Sequence, residues 1–306
     1  MILGILVTGS TGFIGRELIS LIRDARCVVR SYNQISDDLF FVKSIDLETD
    51  WNGAFEDVEV VVHLAGLAHS YSFTEREYQE VNVGGTLHLA NEAVKSGVKR
   101  FVFVSSIGVN GTSTHEVPFS SDSTPNPHNA YAQSKYDAEI GLQKISKETG
   151  LEVVIVRPTL VYGPTAPGNF GSLHRLVSRV PVLPFGLIEN KRSFIAVQNL
   201  VDLLITCMYH PNASGCIFLA SEGEPLSTKA FTNAIAEGVG KHITQLPVPS
   251  SLMRLVGQLT KKSAMVEQLV GNLEVDSSDL QTVLNWKPPY TMKQAMSSLL
   301  ANTTRE

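Results

Sequence analysis

The sequence predicts an α/β protein built on a doubly wound parallel sheet. Short runs rich in Val and Ile alternate over the first 160 residues with longer segments whose apolar residues recur at helical spacing. The runs are apolar at consecutive positions, which suits parallel strands covered by helices on both faces. A glycine-rich turn joins the first run to the first helical segment, and such alternation implies βαβ units.

The elements follow one another in a regular order. Helices are expected at 13–23, 74–95 and 131–149. Strands are expected between them at 2–7, 27–29, 41–45, 59–64, 100–105 and 152–156. After residue 157 proline and glycine become frequent, which predicts a loop-rich stretch as far as residue 186. The rest of the chain indicates short helices at 197–208, 228–237, 250–260 and 291–300 and isolated strands at 216–220 and 273–275.

Composition excludes several classes of protein. The 306 residues are 43% apolar and 18% charged, as in ordinary globular proteins. A net charge of −5 gives no reason to expect nucleic acid or a membrane surface as a partner, and no apolar run is long enough to span a membrane. The first residues lack the basic region of a signal peptide, and the three cysteines form no Cys-x-x-Cys pair. We expect a cytoplasmic protein without a metal.

The first motif is a glycine turn between the first strand and the first helix, Gly9-x-x-Gly12-x-x-Gly15. Glycines permit a tight turn and let backbone N–H groups approach a diphosphate, to which the start of the helix adds partial positive charge. The turn therefore predicts a dinucleotide site in a Rossmann fold. The residues expected to bind the cofactor here are Gly9, Thr11, Gly12, Phe13, Ile14 and Gly15.

The division of the chain follows from this site. Residues 1–160 are expected to form the NAD(P)-binding Rossmann domain. Residues 161–306 are expected to form mainly a smaller C-terminal α/β substrate-binding lobe, with some later segments returning to the first domain.

The end of the second strand bears on the choice between NAD and NADP. An acidic residue there would bind the 2′-hydroxyl of NAD, whereas this chain has Arg30. A guanidinium suits a 2′-phosphate, so Arg30 favours NADP modestly, and a solvated Arg30 with NAD is the alternative. Asp46 and Leu47 follow the third strand, where the carboxylate could accept the adenine amino group or cap a helix.

The second motif is Tyr131-x-x-x-Lys135 on a predicted helix, where both side chains share one face. A free phenol has a pKa of about 10, and a nearby ammonium favours the phenolate. Tyr131 could then exchange a proton with a substrate hydroxyl while a hydride moves to or from a nicotinamide. Ser106, with Ser105 beside it at the end of the fifth strand, would hydrogen-bond the same oxygen.

These motifs occur in the order found in one family. The chain resembles the extended short-chain dehydrogenases/reductases over almost all of its length, and in particular their NAD-dependent nucleotide-sugar epimerase/dehydratase family. The segments that carry the resemblance are Thr8-Gly9-Ser10-Thr11-Gly12-Phe13-Ile14-Gly15, His63-Leu64-Ala65-Gly66, Asn82-Val83-Gly84-Gly85-Thr86, Ser105-Ser106, Tyr131-x-x-x-Lys135 and Arg157-Pro158-Thr159-x-Val161-Tyr162-Gly163-Pro164.

The resemblance implies further roles. Asn82 would support the active-site end of its helix, Lys135 would also bind the nicotinamide ribose, and Pro158-Thr159 would flank the carboxamide. The two long helices are those through which such enzymes form homodimers as a four-helix bundle. The additional residues implied in cofactor binding are Leu64, Ala65, Gly66, Asn82, Ser105, Tyr131, Lys135, Pro158 and Thr159.

The resemblance also implies a UDP-sugar substrate. Family members place an Asn after the Tyr-Gly-Pro segment, a Pro-Phe-Gly-like turn over the base and an Arg on the diphosphate. This chain has Asn169, Phe185-Gly186 and Arg192 at those places, and Ser106 would contact the sugar. A second phosphate-binding Arg, common near the C-terminus of such enzymes, has no counterpart in 271–276.

Two reactions at the sugar C4 remain open. The serines are followed by Ile107-Gly108 and not by the Asp-Glu pair of sugar dehydratases, which argues against dehydration. The run 105–111 and the short chain favour a 4-keto-6-deoxy-HexNAc reductase of the UDP-quinovosamine type. The alternative is a UDP-glucose or UDP-GlcNAc 4-epimerase. A non-catalytic NAD(P)-binding regulator and a reductase of a non-nucleotide ketone are less favoured, because Ser106, Tyr131 and Lys135 occur together.

Overall fold

The strands of the described residues form one large sheet and two small ones. The computed structural model describes residues 4–22, 24–31, 38–68 and 73–303. In chain order the strands are β1 Gly4–Thr8, β2 Ala25–Val29, β3 Leu39–Phe41, β4 Val58–His63, β5 Arg100–Val104, β6 Glu152–Pro158, β7 Leu160–Tyr162, β8 Val182–Leu183, β9 Phe194–Ala196, β10 Ile217–Ala220 and β11 Thr244–Gln245.

Helices connect and cover these strands. In chain order they are α1 Phe13–Leu21, α2 Glu75–Tyr78, α3 Thr86–Lys95, α4 Ala130–Thr149, α5 Gly168–Arg179, α6 Val197–Tyr209, α7 Thr228–Gly238, α8 Ser250–Leu259, α9 Ser263–Val270, α10 Ser278–Leu284 and α11 Met292–Thr303.

The seven-stranded sheet is parallel and doubly wound, as the sequence predicts. Its order is β10-β6-β5-β4-β1-β2-β3, and every pairing within it is parallel. From β1 the chain moves outward through β2 and β3 and then crosses to the other side of β1 with β4. A ligand crevice is expected where the order reverses, outside the carboxyl ends of β1 and β4.

The apolar runs of the strands divide between two cores. Successive strand residues face opposite sides of the sheet, so a run without polar residues supplies both faces. Ile5 and Val7 pack in the core beneath α1 and α6, while Leu6 between them packs in the core beneath α3 and α4. This is why consecutive apolar residues, and not alternating ones, mark the strands of this chain.

The predicted helix over 74–95 is helical but changes its hydrogen-bond pattern. Between α2 and α3 lies a π-helical segment, Gln79–Gly85, which carries Asn82. A Cβ on Gly85 would lie 2.5 Å from the Ile45 carbonyl oxygen, so glycine permits the close approach of this segment to the loop after β3. π-Helical turns often occur at functional sites, and this one borders the crevice.

The region 161–306 contributes to both parts of the molecule. α6 and β10 belong to the large sheet and its core, and Trp286 packs in the same core. α5, α7 and α11 contribute to a separate apolar core that contains Tyr162, Phe170, Phe185, Phe194, Phe231 and Ile235. This third core forms the smaller lobe beside the carboxyl edge of the sheet.

Several elements differ from the sequence prediction, which did not include α9, α10 or the short strands β7, β8, β9 and β11. The third strand is Leu39–Phe41 and not 41–45, because its partner β2 ends at Val29 opposite Phe41. The stretch predicted as loop-rich contains α5, a 12-residue helix whose Phe170 and Val177 are held in the lobe core. Residues 273–275 make only isolated bridges, to Arg192 and to Phe119.

The sheet core can be tested with two leucines of α1. Leu18 is fully buried, whereas Leu21 is 57% exposed on the same helix. Leu18→Ala is expected to lower the free energy of unfolding by about 2–5 kcal/mol, because it removes apolar contacts and leaves a cavity. Leu21→Ala, the matched control, is expected to change it by less than about 0.5 kcal/mol. Urea denaturation measures both, and equal losses would contradict this packing.

Candidate active site

The glycine turn after β1 is compact because three glycines lie against backbone. Gly9 has φ +72°, and a Cβ on it would lie 2.7 Å from the Ala65 nitrogen. A Cβ on Gly15 would lie 2.2 Å from the Gly9 carbonyl oxygen, which also accepts a hydrogen bond from the Gly12 N–H at 2.9 Å. No other residue type fits Gly9 or Gly15 without displacing backbone.

The start of α1 is available to an anion. Gly12 is the N-cap and provides no side-chain hydrogen bond, so the first N–H groups of the helix keep their donor capacity. Thr11 is exposed in the turn, and Phe13 and Ile14 are partly buried against the sheet core. The turn thus fits a diphosphate, which the backbone donors and the helix dipole both favour.

A buried histidine links the turn to the π-helical segment. His63 Nε2 lies 2.9 Å from the Thr86 hydroxyl, which donates to the Asn82 carbonyl oxygen at 2.7 Å. Nε2 therefore carries the proton, and His63 Nδ1 accepts from the Thr8 hydroxyl at 2.7 Å. Burial lowers the pKa of His63 to about 3, and the Lys135 charge acts in the same direction. His63 is neutral and structural, as expected of a residue at the end of a strand.

Asn82 fastens the loop after β4. Its side-chain amide donates to the Leu67 carbonyl oxygen at 3.1 Å and to the Ser134 hydroxyl at 3.0 Å, and its oxygen accepts from the Leu67 N–H at 2.7 Å. A Cβ on Gly66 would lie 2.9 Å from Asn82 Oδ1 and 3.6 Å from Lys135 Nζ. Gly66, Asn82 and Lys135 therefore meet in one place, while Leu64 and Ala65 continue β4 beside the glycine turn.

Tyr131 and Ser106 are brought together at the carboxyl edge. Tyr131 lies in the first turn of α4, which begins where the Asn129 side chain accepts the Ala132 N–H at 2.8 Å. The Ser106 side chain hydrogen-bonds to the Tyr131 phenol and accepts the Gly108 N–H at 3.1 Å. The ring of Tyr78 meets that of Tyr131 edge to face at 6.1 Å. The pair predicted to hold one substrate oxygen is thus already in contact.

Lys135 is directed at the sheet. Its ammonium donates to the Val104 carbonyl oxygen at 2.9 Å and lies 4.5 Å from the centre of the Phe103 ring. Burial lowers its pKa to about 8, and the charge of Glu139 opposes that shift. Burial also raises the pKa of Tyr131 to about 12, although the Ser106 hydrogen bond acts downward. The sequence predicts a phenol made acidic by Lys135, whereas burial shifts the pKa of Tyr131 in the other direction.

Glu139 and Arg157 form a buried ion pair that was not predicted from the sequence. Glu139 is 1% exposed and Arg157 is 2% exposed. Arg157 Nε donates to Glu139 at 3.0 Å, Nη2 donates to its other oxygen, and Nη1 donates to the Asn110 side chain at 3.0 Å. Glu139 follows Lys135 by four positions on α4, and this spacing could have placed it on the catalytic face.

Other predicted cofactor residues lie along the same edge. The hydroxyl of Ser105 is buried and has no hydrogen-bond partner within the described part of the chain, so it is open to a bound ligand. The Thr159 hydroxyl, next to Pro158, donates to the Ala220 carbonyl oxygen at 3.0 Å. The glycine turn and the unused Ser105 hydroxyl, with Lys135 beside Gly66, fit a dinucleotide that crosses the carboxyl edge.

The residues predicted at the adenosine end lie farther out. Arg30 is exposed just after β2. The Asp46 carboxylate accepts from the Ser44 hydroxyl and from the Glu48 N–H at 2.9 Å, and the Ser44 bond does most to lower its pKa. Asp46 thus caps its own turn, while Leu47 is 63% exposed beside it.

The predicted substrate residues are spread over the smaller lobe. Asn169 is exposed near the start of α5, and its amide donates to the Gln268 side chain at 3.2 Å. Phe185 is 2% exposed in the lobe core, so the Phe185-Gly186 turn presents backbone rather than an aromatic face. Arg192 is partly buried, and its Nη1 donates to the Gly271 carbonyl oxygen at 3.0 Å.

Over 4–22, 24–31, 38–68 and 73–303, no three His, Cys, Asp or Glu side chains are grouped so that they could hold a metal ion. Among the helices in those ranges, none combines the length and apolar content needed to cross a membrane.

The chain is similar to known proteins along most of its length. The sequence profile of the NAD dependent epimerase/dehydratase family matches residues 5–219. A protein of Vibrio cholerae named UDP-glucose 4-epimerase is 44% identical over 302 residues, which cover 95% of this chain and 92% of that protein.

Solved structures share the fold. UDP-glucose 4-epimerase from Thermotoga maritima, solved with UDP-glucose, aligns with a TM-score of 0.77 at 23% identity over 99% of this chain and 100% of that one. A short-chain dehydrogenase/reductase superfamily protein from Agrobacterium tumefaciens with bound NAD aligns with a TM-score of 0.76 at 21% identity over 98% of this chain and 97% of that one. With the glycine turn, the Tyr131–Ser106 pair and the family match over residues 5–219, the chain belongs to the NAD-dependent epimerase/dehydratase family of extended short-chain dehydrogenases/reductases.

Proposed function

We propose that this protein is a UDP-hexose 4-epimerase that uses NAD. The observation that carries the proposal is the 44% identity, over 95% of the chain, to the protein named UDP-glucose 4-epimerase. It favours the epimerase alternative over the 4-keto-6-deoxy-HexNAc reductase that the run 105–111 had favoured. A pattern of seven residues is weaker support than similarity along the whole chain, because a short run can be shared by both enzymes.

The proposed cofactor site runs across the carboxyl edge of the sheet. The N–H groups at the glycine turn and at the start of α1 would hold the diphosphate. The Ser105 hydroxyl and Lys135 would hold the nicotinamide half. When bound, NAD supplies a ring carbon that accepts hydride from the sugar C4 and later returns it. We propose NAD and not NADP because the family is described as NAD dependent, and Arg30 is solvated at the edge of this site.

The proton is handled by Tyr131. With the C4 hydroxyl of the hexose beside the Tyr131 phenol and the Ser106 side chain, Tyr131 would remove the hydroxyl proton as C4 is oxidised. Ser106 would hold the same oxygen and keep its position fixed. After the keto sugar has turned over, Tyr131 would return the proton as hydride reaches the other face of C4. One acid–base group serves both half-reactions, so the enzyme ends each cycle unchanged.

Positive charge is what makes Tyr131 a base. Burial raises the pKa of its phenol to about 12, so the phenol is protonated at neutral pH. Oxidised nicotinamide adds one positive charge, and the Lys135 ammonium on the same helix face adds another. We propose that the phenolate forms only in the loaded site, which prevents Tyr131 from reacting before cofactor and sugar are both in place.

Arg192 is the proposed partner of the UDP diphosphate. Its guanidinium is largely removed from solvent, and burial lowers its pKa to about 10. The ion pairs formed among the described residues do not include Arg192, whose Nη1 donates instead to the neutral Gly271 carbonyl. A partly buried cation without a carboxylate partner is well suited to an anionic ligand. Asn169 and the Phe185-Gly186 turn would complete the nucleotide side of the site.

The family's four-helix dimer is also proposed for this chain. α3 and α4 pack closely, since a Cβ on Gly141 would lie 2.5 Å from the Leu87 side chain. Ile140 is 49% exposed on α4, as is expected of an apolar residue that a second copy would cover.

The phenol pKa gives one test of this scheme. In protein freed of cofactor, the difference in ultraviolet absorbance between the wild type and Tyr131→Phe is expected to show no phenolate between pH 7 and pH 10, because the pKa is about 12. Adding NAD is expected to move the ionisation toward neutral pH. A phenolate that already titrates near neutrality in the cofactor-free protein would contradict the proposed order of events.

The reaction itself is tested with purified protein. Denaturation is expected to release one NAD per protein chain. Incubation with UDP-glucose and no added cofactor is expected to yield the C4 epimer, which NMR detects. Tyr131→Phe is expected to abolish conversion and to retain the bound NAD, because the phenyl ring keeps its packing with Tyr78. If the protein instead oxidised added NADPH while reducing an equal amount of a 4-keto UDP-sugar, and epimerised nothing, it would be the reductase.

A further inference from the structure

α8 carries its apolar stripe on the side that faces solvent. Leu252, Leu255, Val256 and Leu259 are 50%, 51%, 51% and 77% exposed. Their spacing of i, i+3, i+4 and i+7 places them on one face of the helix. The opposite face packs at Gly257, where a Cβ would lie 2.8 Å from a methyl group of Val266 on α9. The usual amphipathic helix of a globular protein has its apolar face toward the core, whereas α8 has its apolar face toward solvent.

The same surface continues onto the neighbouring turn and helix. Met265 at the start of α9 is 57% exposed. Lys261 and Lys262 lie between α8 and α9, and both are exposed. We call the surface formed by Leu252, Leu255, Val256, Leu259, Lys261, Lys262 and Met265 the α8–α9 surface.

The charge around this surface is opposite in sign to that of the whole chain. Residues 238–266 contain no Asp or Glu but contain Lys241, Arg254, Lys261 and Lys262, in a chain whose net charge is −5. Arg254 is paired with Glu267 at 2.6 Å. The ion pairs of the described residues include neither Lys261 nor Lys262. The two lysines therefore offer uncompensated positive charge beside exposed leucines.

We propose that the α8–α9 surface binds an anionic membrane surface. An amphipathic helix with leucines on one side and basic residues beside them lies in the interface of a bilayer, where the apolar side chains enter the acyl boundary. Lysines at the rim gain from the negative potential of anionic headgroups. The net charge of the whole chain is negative and would be repelled by anionic lipids, but the segment 238–266 is positively charged.

A second copy of the chain fits this surface less well. A stable dimer buries roughly 20–30 residues on each side, many more than the five apolar side chains here. A twofold contact would also bring the same patch of both copies together, so the lysines of one copy would face those of the other. Like charges brought face to face oppose association. An anionic lipid surface needs no large protein interface and attracts the lysines.

The location of the surface connects it to the proposed substrate side. α9 leads directly into Gly271, whose carbonyl oxygen accepts the hydrogen bond from Arg192, and Gln268 on α9 contacts Asn169. A membrane bound at the α8–α9 surface would therefore lie against the smaller lobe. The sheet core and the Tyr131–Ser106 pair lie in the other part of the fold and do not depend on it.

Vesicle co-sedimentation tests the proposal with the full chain. The wild type is expected to bind vesicles of phosphatidylcholine with phosphatidylglycerol and to bind vesicles of phosphatidylcholine alone much more weakly. Leu255→Ser/Leu259→Ser removes apolar contact and Lys261→Glu/Lys262→Glu reverses the charge, and each is expected to weaken binding at least about tenfold. The matched control Leu21→Ser/Lys99→Glu changes an exposed Leu and an exposed Lys elsewhere and is expected to bind like the wild type.

The outcomes separate this proposal from the others. Both surface variants are expected to convert a soluble UDP-sugar at the wild-type rate. The enzyme assay therefore tests the proposed function, and the vesicle assay tests membrane binding separately. Absence of binding to anionic vesicles at low salt would overturn the proposal, as would binding that the two variants leave unchanged. A wild-type dimer that Leu255→Ser/Leu259→Ser converts to a monomer in light scattering would show that a second copy covers the surface.

Discussion

The position of α4 on the sheet depends on one buried ion pair, and the candidate site depends on that position. Glu139 on α4 meets Arg157 on β6 by two hydrogen bonds, and Arg157 also reaches Asn110 in the loop that follows Ser106. Helix, strand and serine loop are thus joined through one guanidinium. Two buried charges gain little net stability from each other, but removal of either is costly because the other remains uncompensated. Such a pair therefore specifies one arrangement of α4, and that arrangement holds Tyr131 beside Ser106.

A second buried network holds the cofactor side of the site. The chain of hydrogen bonds from Thr8 through His63 and Thr86 to the Asn82 backbone joins the end of β1 to the π-helical segment. The Asn82 side chain then fastens the loop that contains Gly66. Because every member is paired, the network is stable without charge, and burial keeps His63 neutral. This hydrogen-bond network holds the glycine turn and the catalytic helix, which are far apart in sequence, at the same crevice.

Much of the fold could be predicted from the sequence, because strands buried on both faces leave continuous apolar runs. β1, β4, β5 and β6 follow from such runs, and α4 follows from its helical segment between two of them. α5 was missed because its glycines suggest loop, although Gly171 lies where a Cβ would be 2.4 Å from the Ala166 carbonyl oxygen. The pairing of Glu139 with Arg157 was missed because the two residues lie on different elements, and the spacing of Glu139 from Lys135 indicates only its helix face. The pKa of Tyr131 could not be predicted either, because it depends on burial and on where the Lys135 ammonium points.

A double-mutant cycle on the buried pair tests the central claim most directly. Glu139→Gln, Arg157→Met and the double variant would be compared with the wild type in urea unfolding. Each single change is expected to lower the free energy of unfolding by about 3–5 kcal/mol, since it leaves one buried charge without its partner. The double variant is expected to lose much less than the sum of the two. Additive losses, or single variants as stable as the wild type, would show that the ion pair does not hold α4 to the sheet.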